Sequence, residues 1–397
     1  MVQLMLDALG GDHRVAARRG AATPGSIQCY HVDCRLSRGI DDIGRARWGK
    51  IFLVLKYSLE AVWCRFRFGA RAFYYVPAPG QRVPLYRDWL VMAICRPFFR
   101  KIIFHTHAVG VGSWLEQKAR PWERSISRLL LSHADLNIVL SEYYRQEVLK
   151  LAPKRVEVVP IGIPDPDPDF EQAVLPRRLA RVEVRQKLLA GEKPSEDDLA
   201  KAGADVKTFR VLYVSMCFRE KGLFDAAEAV ALLNRKLQNE NSPIQVRLDV
   251  VGKFFVQEEQ VEFEKRIAEP DLLRNGEPII KYHGFVDTET KYRLLKESDC
   301  FCFPTYYQVE GQPASLVEAM AFGLPIITTR WRAIPELFPK DYPGLVDIQS
   351  PAQIAQALEK FLQEYPAGTF RAEFLSRFTE EKHIQKMKAV LQTMAQD

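Results

Sequence analysis

VEGQPASLVEAMAFGLPIITT, residues 309–329, passes from a loop through a helix into a strand. Gly311 and Pro313 favour a loop, Ser315 to Phe322 reads as a helix, and Gly323 with Pro325 supplies the usual stop signals. LPIITT (324–329) then reads as a strand. Working outward, short β-branched and aromatic runs alternate with helical stretches on both sides. Upstream in the same half lie RVLYVS (210–215), QVRLDVVG (245–252), IIKYHG (279–284) and DCFCFP (299–304). In the first half the strand candidates are SIQCYHV (26–32), AFYYV (72–76), KIIFHTH (101–107), DLNIVL (135–140) and VEVVP (156–160). Such alternation predicts an α/β fold with two domains, each built on a parallel sheet.

Residues 160–209 interrupt the pattern. They open with PIGIPDPDPD, where closely spaced prolines block helix and strand, and continue into a charged, alanine-rich helical segment ending near Gly203. The expected organisation is a Rossmann-like domain over 1–160, a linker with a helical insertion over 161–208, a second Rossmann-like domain over 209–377, and a helix over 378–397. That last helix carries Ile384, Met387, Leu391 and Met394 along one stripe, and is expected to pack back toward the N-terminal domain.

The 397 residues are 47% hydrophobic and 27% charged, the composition of a globular protein rather than a disordered one. No apolar stretch approaches the roughly 20 residues that span a bilayer, since Ile51 to Leu55 is cut by Lys56. Asp7 and Asp12 stand where a secretory signal would be basic and then apolar, so the expected compartment is the cytoplasm. Cys29, Cys34, Cys64, Cys95, Cys217, Cys300 and Cys302 make neither a disulfide framework nor a paired metal site, and read as buried thiols.

Charge is uneven. Residues 1–164 hold 25 Lys and Arg against 13 Asp and Glu, and the remainder 31 against 37. A basic half attracts anionic partners, among them phospholipid head groups, lipid diphosphates and nucleic acids, or is simply a solvated face. No nucleic-acid-binding motif is present, and none is expected as a partner. Residues 45–68 (RARWGKIFLVLKYSLEAVWCRFRF) place apolar residues at helical spacing beside Arg47, Lys50, Lys56, Arg65 and Arg67. This reads either as an interfacial helix or as a core helix with a basic rim.

The chemistry concentrates in 309–329. A helix N-terminus offers unpaired N–H groups and partial positive charge, and a preceding glycine lets a phosphorylated ligand approach the backbone. Glu310 in the loop and Glu318 on the helix can then accept hydrogen bonds from hydroxyls on either side of the bound anion. Paired carboxylates also occur in glycosidases, but there they flank one bond from opposite directions. VLYVSMCFREKG (211–222) runs from a strand into a loop with Arg219 and Lys221, cations suited to a diphosphate.

Glu310 and Glu318, separated by seven residues and followed by AMAFGLPIITT, resemble the signature of glycosyltransferase family 4. That resemblance implies the GT-B fold, two Rossmann-like domains with parallel sheets facing across a cleft, the first on the acceptor side and the second binding the nucleotide sugar. It implies that Glu310 contacts donor-sugar hydroxyls, that Glu318 binds the ribose, and that the backbone of Gly311, Gln312, Pro313 and Ala314 holds sugar or phosphate. Lys221 and Gly222 resemble the family's Lys-Gly that holds the donor diphosphate. Arg219 is the candidate for a second charge, because Met216 stands after Ser215 where many members have arginine. YHGFV (282–286) and VVG (250–252) resemble the nucleobase region, and AIPE (333–336) resembles G-G-I-P-E, with Arg332 and Ala333 replacing both glycines.

In the first half, IIFHTHAVG (102–110) ends a strand with two histidines facing one side at period two. His107 resembles the family histidine that touches the donor sugar, and His105 reads as supporting it. Arg120, Arg124 and Arg128 are candidate acceptor contacts or a wet face. Family members usually begin with a strand and a Gly-rich loop, whereas this sequence opens in MVQLMLDALGGDH, with Gly10 and Gly11 too late to replace that loop. The expected activity is retaining transfer of a hexose from a UDP- or GDP-sugar to a glycan or lipid-linked acceptor, in cell-envelope or exopolysaccharide synthesis. No metal ligand cluster and no cofactor are expected, and an anionic membrane surface on the inner face is a possible partner. The alternative is a non-catalytic GT-B protein that binds a sugar nucleotide or scaffolds a glycan pathway.

Overall fold

The structure is a computed structural model that describes residues 2–9, 11–16, 27–34, 48–108, 110–203, 205–274, 276–364 and 369–396. The chain forms two compact units, Met1–Gly162 with Glu381–Asp397, and Ile163–Glu380. Nearly all of the 161–208 segment therefore belongs to the second unit, and the C-terminal helix to the first.

In the first unit a helix α1 (Trp48–Phe68) precedes a four-stranded parallel sheet of β1 (Ala72–Tyr75), β2 (Lys101–Thr106), β3 (Leu136–Val139) and β4 (Val156–Val158), in that spatial order. β2 and β3 are almost wholly buried, as strands covered on both faces are. Alternation along β2 sends Ile102 and Phe104 to one face, under Leu85, Trp89 and Met92 of α2 (Arg82–Cys95). Ile103 points the other way, where Met387 and Met394 of the C-terminal helix (Glu380–Gln396) close a core with Leu136, Ile138 and Val159.

SIQCYHV is not a strand. Ser26 lies outside the described residues, and Cys29 makes a lone parallel bridge to Asp12. Side chains take the backbone groups a ladder needs: the His31 N–H donates to Asp12 Oδ1 at 3.1 Å, and the Cys29 N–H to His13 Nδ1 at 3.1 Å. Gly10 and Arg47 also lie outside the described residues. Five cysteines are buried as expected, but Cys29 is half-buried and Cys34 exposed.

The second unit holds a six-stranded parallel sheet: β5 (Thr208–Val214), β6 (Gln245–Val251), β7 (Ile280–Tyr282), β8 (Cys300–Phe303), β9 (Ile326–Thr329) and β10 (Leu345–Val346). Its order is β10-β9-β8-β5-β6-β7. The chain moves outward from β5 to β7, then returns to the other side of β5 to lay down β8. The boundary between β5 and β8 is thus the topological switch point, where α/β sheets bind ligands beyond the strands' carboxyl ends. β10, two residues long, leaves no periodicity to read in sequence. Behind the sheet, α3 (Leu175–Leu189) sends Arg178, Arg181 and Arg185 inward from one face. Arg181 and Arg185 grip the buried Asp299, and Arg178 donates to the carbonyls of Ser298, Leu295 and Phe322.

Candidate functional site

The loops that leave β5 and β8 are forced together by glycine. Gly222 has φ 78°, and a Cβ there would stand 2.2 Å from the Pro304 carbonyl oxygen. Only glycine lets the end of the β5 loop lie against the first residue after β8. Tyr306 N–H donates to the Glu220 carbonyl at 2.8 Å and fixes the approach. Gly252 plays the same part below, with a Cβ only 1.8 Å from Ser215 O.

This packing brings Lys221 to Glu310. Lys221 Nζ lies 2.6 Å from Glu310 Oε2, and the two side chains are 8% and 9% exposed. Thr305 Oγ1 donates to the same oxygen at 3.0 Å. The ammonium also lies 4.9 Å from the Tyr307 ring centroid and 5.5 Å from that of Phe303, so rings and a carboxylate together hold the buried cation.

Lys221 directly precedes Gly222, the N-cap of α4 (Leu223–Asn239), and Glu310 precedes α6 (Ala314–Ala321), whose N-cap is Pro313; between the two helices in sequence lies α5 (Thr288–Glu297). Pro313 has no N–H to donate, so among the four backbone positions singled out by resemblance only Gly311, Gln312 and Ala314 have an amide hydrogen to give. Glu318 sits on α6, with Oε1 2.6 Å from Lys291 Nζ on α5. Lys291 was not a sequence candidate. The far end of α6 is anchored: Gly323 (φ 57°) turns the chain against Phe170, and Arg178 and Arg371 take the carbonyls of Phe322 and Ala321.

Arg219 is directed elsewhere. Its guanidinium pairs with Glu262 at 2.6 Å and lies over the Phe224 ring at 4.1 Å, so it is not brought to the Lys221–Glu310 pair. Asp225, on the first turn of α4, is pushed up by burial to about 6, with Arg219 opposing. In the nucleobase-like stretch, Gly284 (φ 70°) accepts the Gly252 N–H at 2.9 Å, His283 is held by Asp249 at 2.7 Å, and Phe285 is exposed. Arg332, standing where the family motif has glycine, adopts φ 51°.

In the first unit the period-two reading of the histidines holds: the His105 and His107 rings are 4.0 Å apart at the carboxyl end of β2. His105 is buried, shares a hydrogen bond at Nδ1 with the Tyr74 hydroxyl, and its Nε2 has no partner. Burial, with His383 nearby, pulls His107 down to about 4, so its imidazole is neutral at neutral pH. His383 comes from the C-terminal helix, bonded through Nδ1 to the Pro160 carbonyl at 2.7 Å, a contact across 223 positions that local sequence could not reveal. Of the candidate arginines, Arg124 Nε donates to the Ala119 carbonyl at 3.1 Å. Among the described residues no group of three His, Cys, Asp or Glu is placed to hold a metal ion.

Comparison with known proteins bears on this arrangement. Residues 194–391 match the family described as glycosyl transferases group 1. The amylovoran biosynthesis glycosyltransferase AmsK of Erwinia amylovora is 26% identical over 215 residues, 52% of this chain and 50% of that protein. WcaL of Escherichia coli strain K12, a putative colanic acid biosynthesis glycosyltransferase, is 27% identical over 165 residues, 40% of this chain and 37% of that one. The chain thus spans about half or less of the length of the curated relatives it matches. Among solved structures, Anabaena HepE in complex with UDP and glucose superposes with a TM-score of 0.60 at 17% identity, over 88% of this chain and 83% of that one. The parallel sheets are those of the GT-B fold, and the segment similar to the glycosyl transferases group 1 family contains Lys221, Glu310 and Glu318.

Proposed function

We propose that the protein is a retaining glycosyltransferase that moves a hexose from a UDP- or GDP-sugar to a hydroxyl of a glycan or lipid-linked acceptor, in exopolysaccharide or cell-envelope synthesis at the inner face of the membrane. The observation that carries this reading is the buried Lys221–Glu310 pair at the switch point, with α6, the helix of Glu318, beginning four positions after Glu310. The names of the relatives, which refer to amylovoran and colanic acid, support the pathway class, and the UDP and glucose of the HepE structure support the donor class.

In the proposed reaction the donor diphosphate replaces Glu310 as the partner of Lys221. Glu310 is then free to accept hydrogen bonds from the sugar, and Glu318 accepts from the ribose. The bond from the anomeric carbon to the diphosphate breaks, its electron pair leaving on the diphosphate oxygen. The acceptor oxygen bonds to the same face, and its proton passes to the departing phosphate. Lys221 and the N–H groups at the start of α6 meet the growing negative charge, each such donor contributing about 3 kcal/mol to lowering the barrier. This chemistry asks for no metal or cofactor. His107, neutral, is assigned to the sugar hydroxyls.

Calorimetry against a panel of UDP- and GDP-sugars tests the reading. Glu318→Ala is expected to weaken every nucleotide sugar by roughly tenfold to a hundredfold, the worth of a lost charged hydrogen bond. His107→Ala is expected to lower turnover and leave nucleotide affinity unchanged. Unaltered affinity in the Glu318 variant would remove the site assignment, and nucleotide binding with neither hydrolysis nor transfer from any donor would leave a binding protein in place of an enzyme.

A further inference from the structure

Helix α1 has two faces of opposite use. Val54, Ser58, Ala61 and Cys64 are buried and form its inner stripe. On the opposite side, Phe52, Leu59, Trp63 and Phe66 are 72%, 60%, 52% and 69% exposed. At 3.6 residues per turn these four, with Lys56 among them, fall within one narrow arc that runs about 21 Å along the helix axis. The stripe continues onto Phe98, whose ring lies 5.8 Å from that of Phe66 and whose carbonyl accepts Arg65 Nε at 3.0 Å. A scattered exposed leucine needs no explanation, but a continuous row of large apolar side chains marks an interaction surface.

Charge decides the occupant. Lys56 lies within the row and Arg67 at its edge, and the helix carries one carboxylate, Glu60, already paired with Arg14. A second copy of the chain would bring the same cations face to face, which opposes association. A single exposed helix with aromatic side chains along its outer face, tryptophan among them, and cations beside them matches the boundary of an anionic bilayer: rings sink to the acyl edge and long basic side chains reach the phosphates. No helix among the described residues is long and apolar enough to cross a membrane, so such contact would be peripheral.

We propose that the outward face of α1, centred on Phe52, Leu59, Trp63 and Phe66, docks onto an anionic phospholipid surface. It draws on both readings of 45–68, because the helix of Trp48–Phe68 packs on the core and presents an apolar row as well. The inference does not depend on the donor chemistry, and its test contains no sugar nucleotide.

The test is co-sedimentation of the full chain with phosphatidylcholine vesicles, with and without about one-third phosphatidylglycerol. Binding is expected to be at least about tenfold tighter on the anionic vesicles and to fall steeply with salt. Phe52→Ser/Trp63→Ser/Phe66→Ser is expected to abolish sedimentation without lowering the thermal midpoint, since these side chains are exposed. Lys56→Glu/Arg67→Glu should erase the preference for anionic lipid, and it decides the matter if the triple variant fails to fold. Equal binding to both vesicles, unchanged binding by a folded triple variant, or a wild-type dimer that the triple variant converts to monomer would each overturn the proposal, the last by giving the face to a second copy.

Discussion

Lys221→Ala is expected to lose about 3–5 kcal/mol of folding stability, because it leaves the Glu310 carboxylate buried without its cation. The pair is 2.6 Å apart with less than a tenth of either side chain exposed, and Thr305 alone cannot neutralise the charge. In the proposed reaction the same change removes the charge opposite the leaving diphosphate, so transfer should fall by about 10²–10³. The two losses separate in the double variant. Lys221→Ala/Glu310→Gln removes both charges, and most of the stability should return, because a neutral amide beside Thr305 is far less costly to bury than an unpaired carboxylate. Transfer should not return. Urea unfolding and initial rates on the four proteins of this cycle give the coupling directly. Additive single effects, each below about 1 kcal/mol, would show that the ion pair is not what holds the two loops.

What could be read in advance follows from the range of the interactions. Strands β5, β6, β8 and β9 announce themselves by short runs rich in β-branched and aromatic residues, and α6 by its glycine and proline stops, all local signals. Lys221 and Glu310 were both visible as loop residues, but their contact spans 89 positions and depends on Gly222 lying against Pro304. Lys291 gave no signal. It stands in TETKYRLLKE, which reads as a solvated helix, and its meaning comes only from Glu318, 27 positions later. Arg219 shows the opposite case: a cation beside the Lys-Gly turn reads as directed to the same ligand, and its pairing with Glu262 on a neighbouring helix, 43 positions later, gave no signal. The row of Arg178, Arg181 and Arg185 in the insertion likewise reads as a wet face until Asp299 and the carbonyls that receive it are in place. SIQCYHV has the composition of a strand, but Asp12 and His13 satisfy its backbone first.

Asp299→Asn is expected to cost about 3–5 kcal/mol, since it leaves two buried guanidinium groups facing a neutral amide. Burial alone would raise the Asp299 pKa, but Arg185 and Arg181 outweigh it and hold the carboxyl at about 2, against an ordinary value of 3.8. A carboxylate whose pKa is lowered by folding contributes stability that is complete above its unfolded value and disappears as pH falls through the folded one. The window is therefore about pH 4 to 2, and the contribution lost across it is roughly 2–3 kcal/mol. Wild type and variant should differ most at neutral pH and converge by that amount toward pH 2. Function should follow, because Asp299 directly precedes β8 and accepts the Arg210 N–H of β5 at 2.9 Å. It thereby sets the register of the two strands whose ends carry Lys221 and Glu310. Loosening it should weaken nucleotide-sugar binding without touching a ligand-contacting group. A gap between the two unfolding free energies that stays constant from pH 7 to pH 2 would mean that the arginines of α3 do not hold this carboxylate.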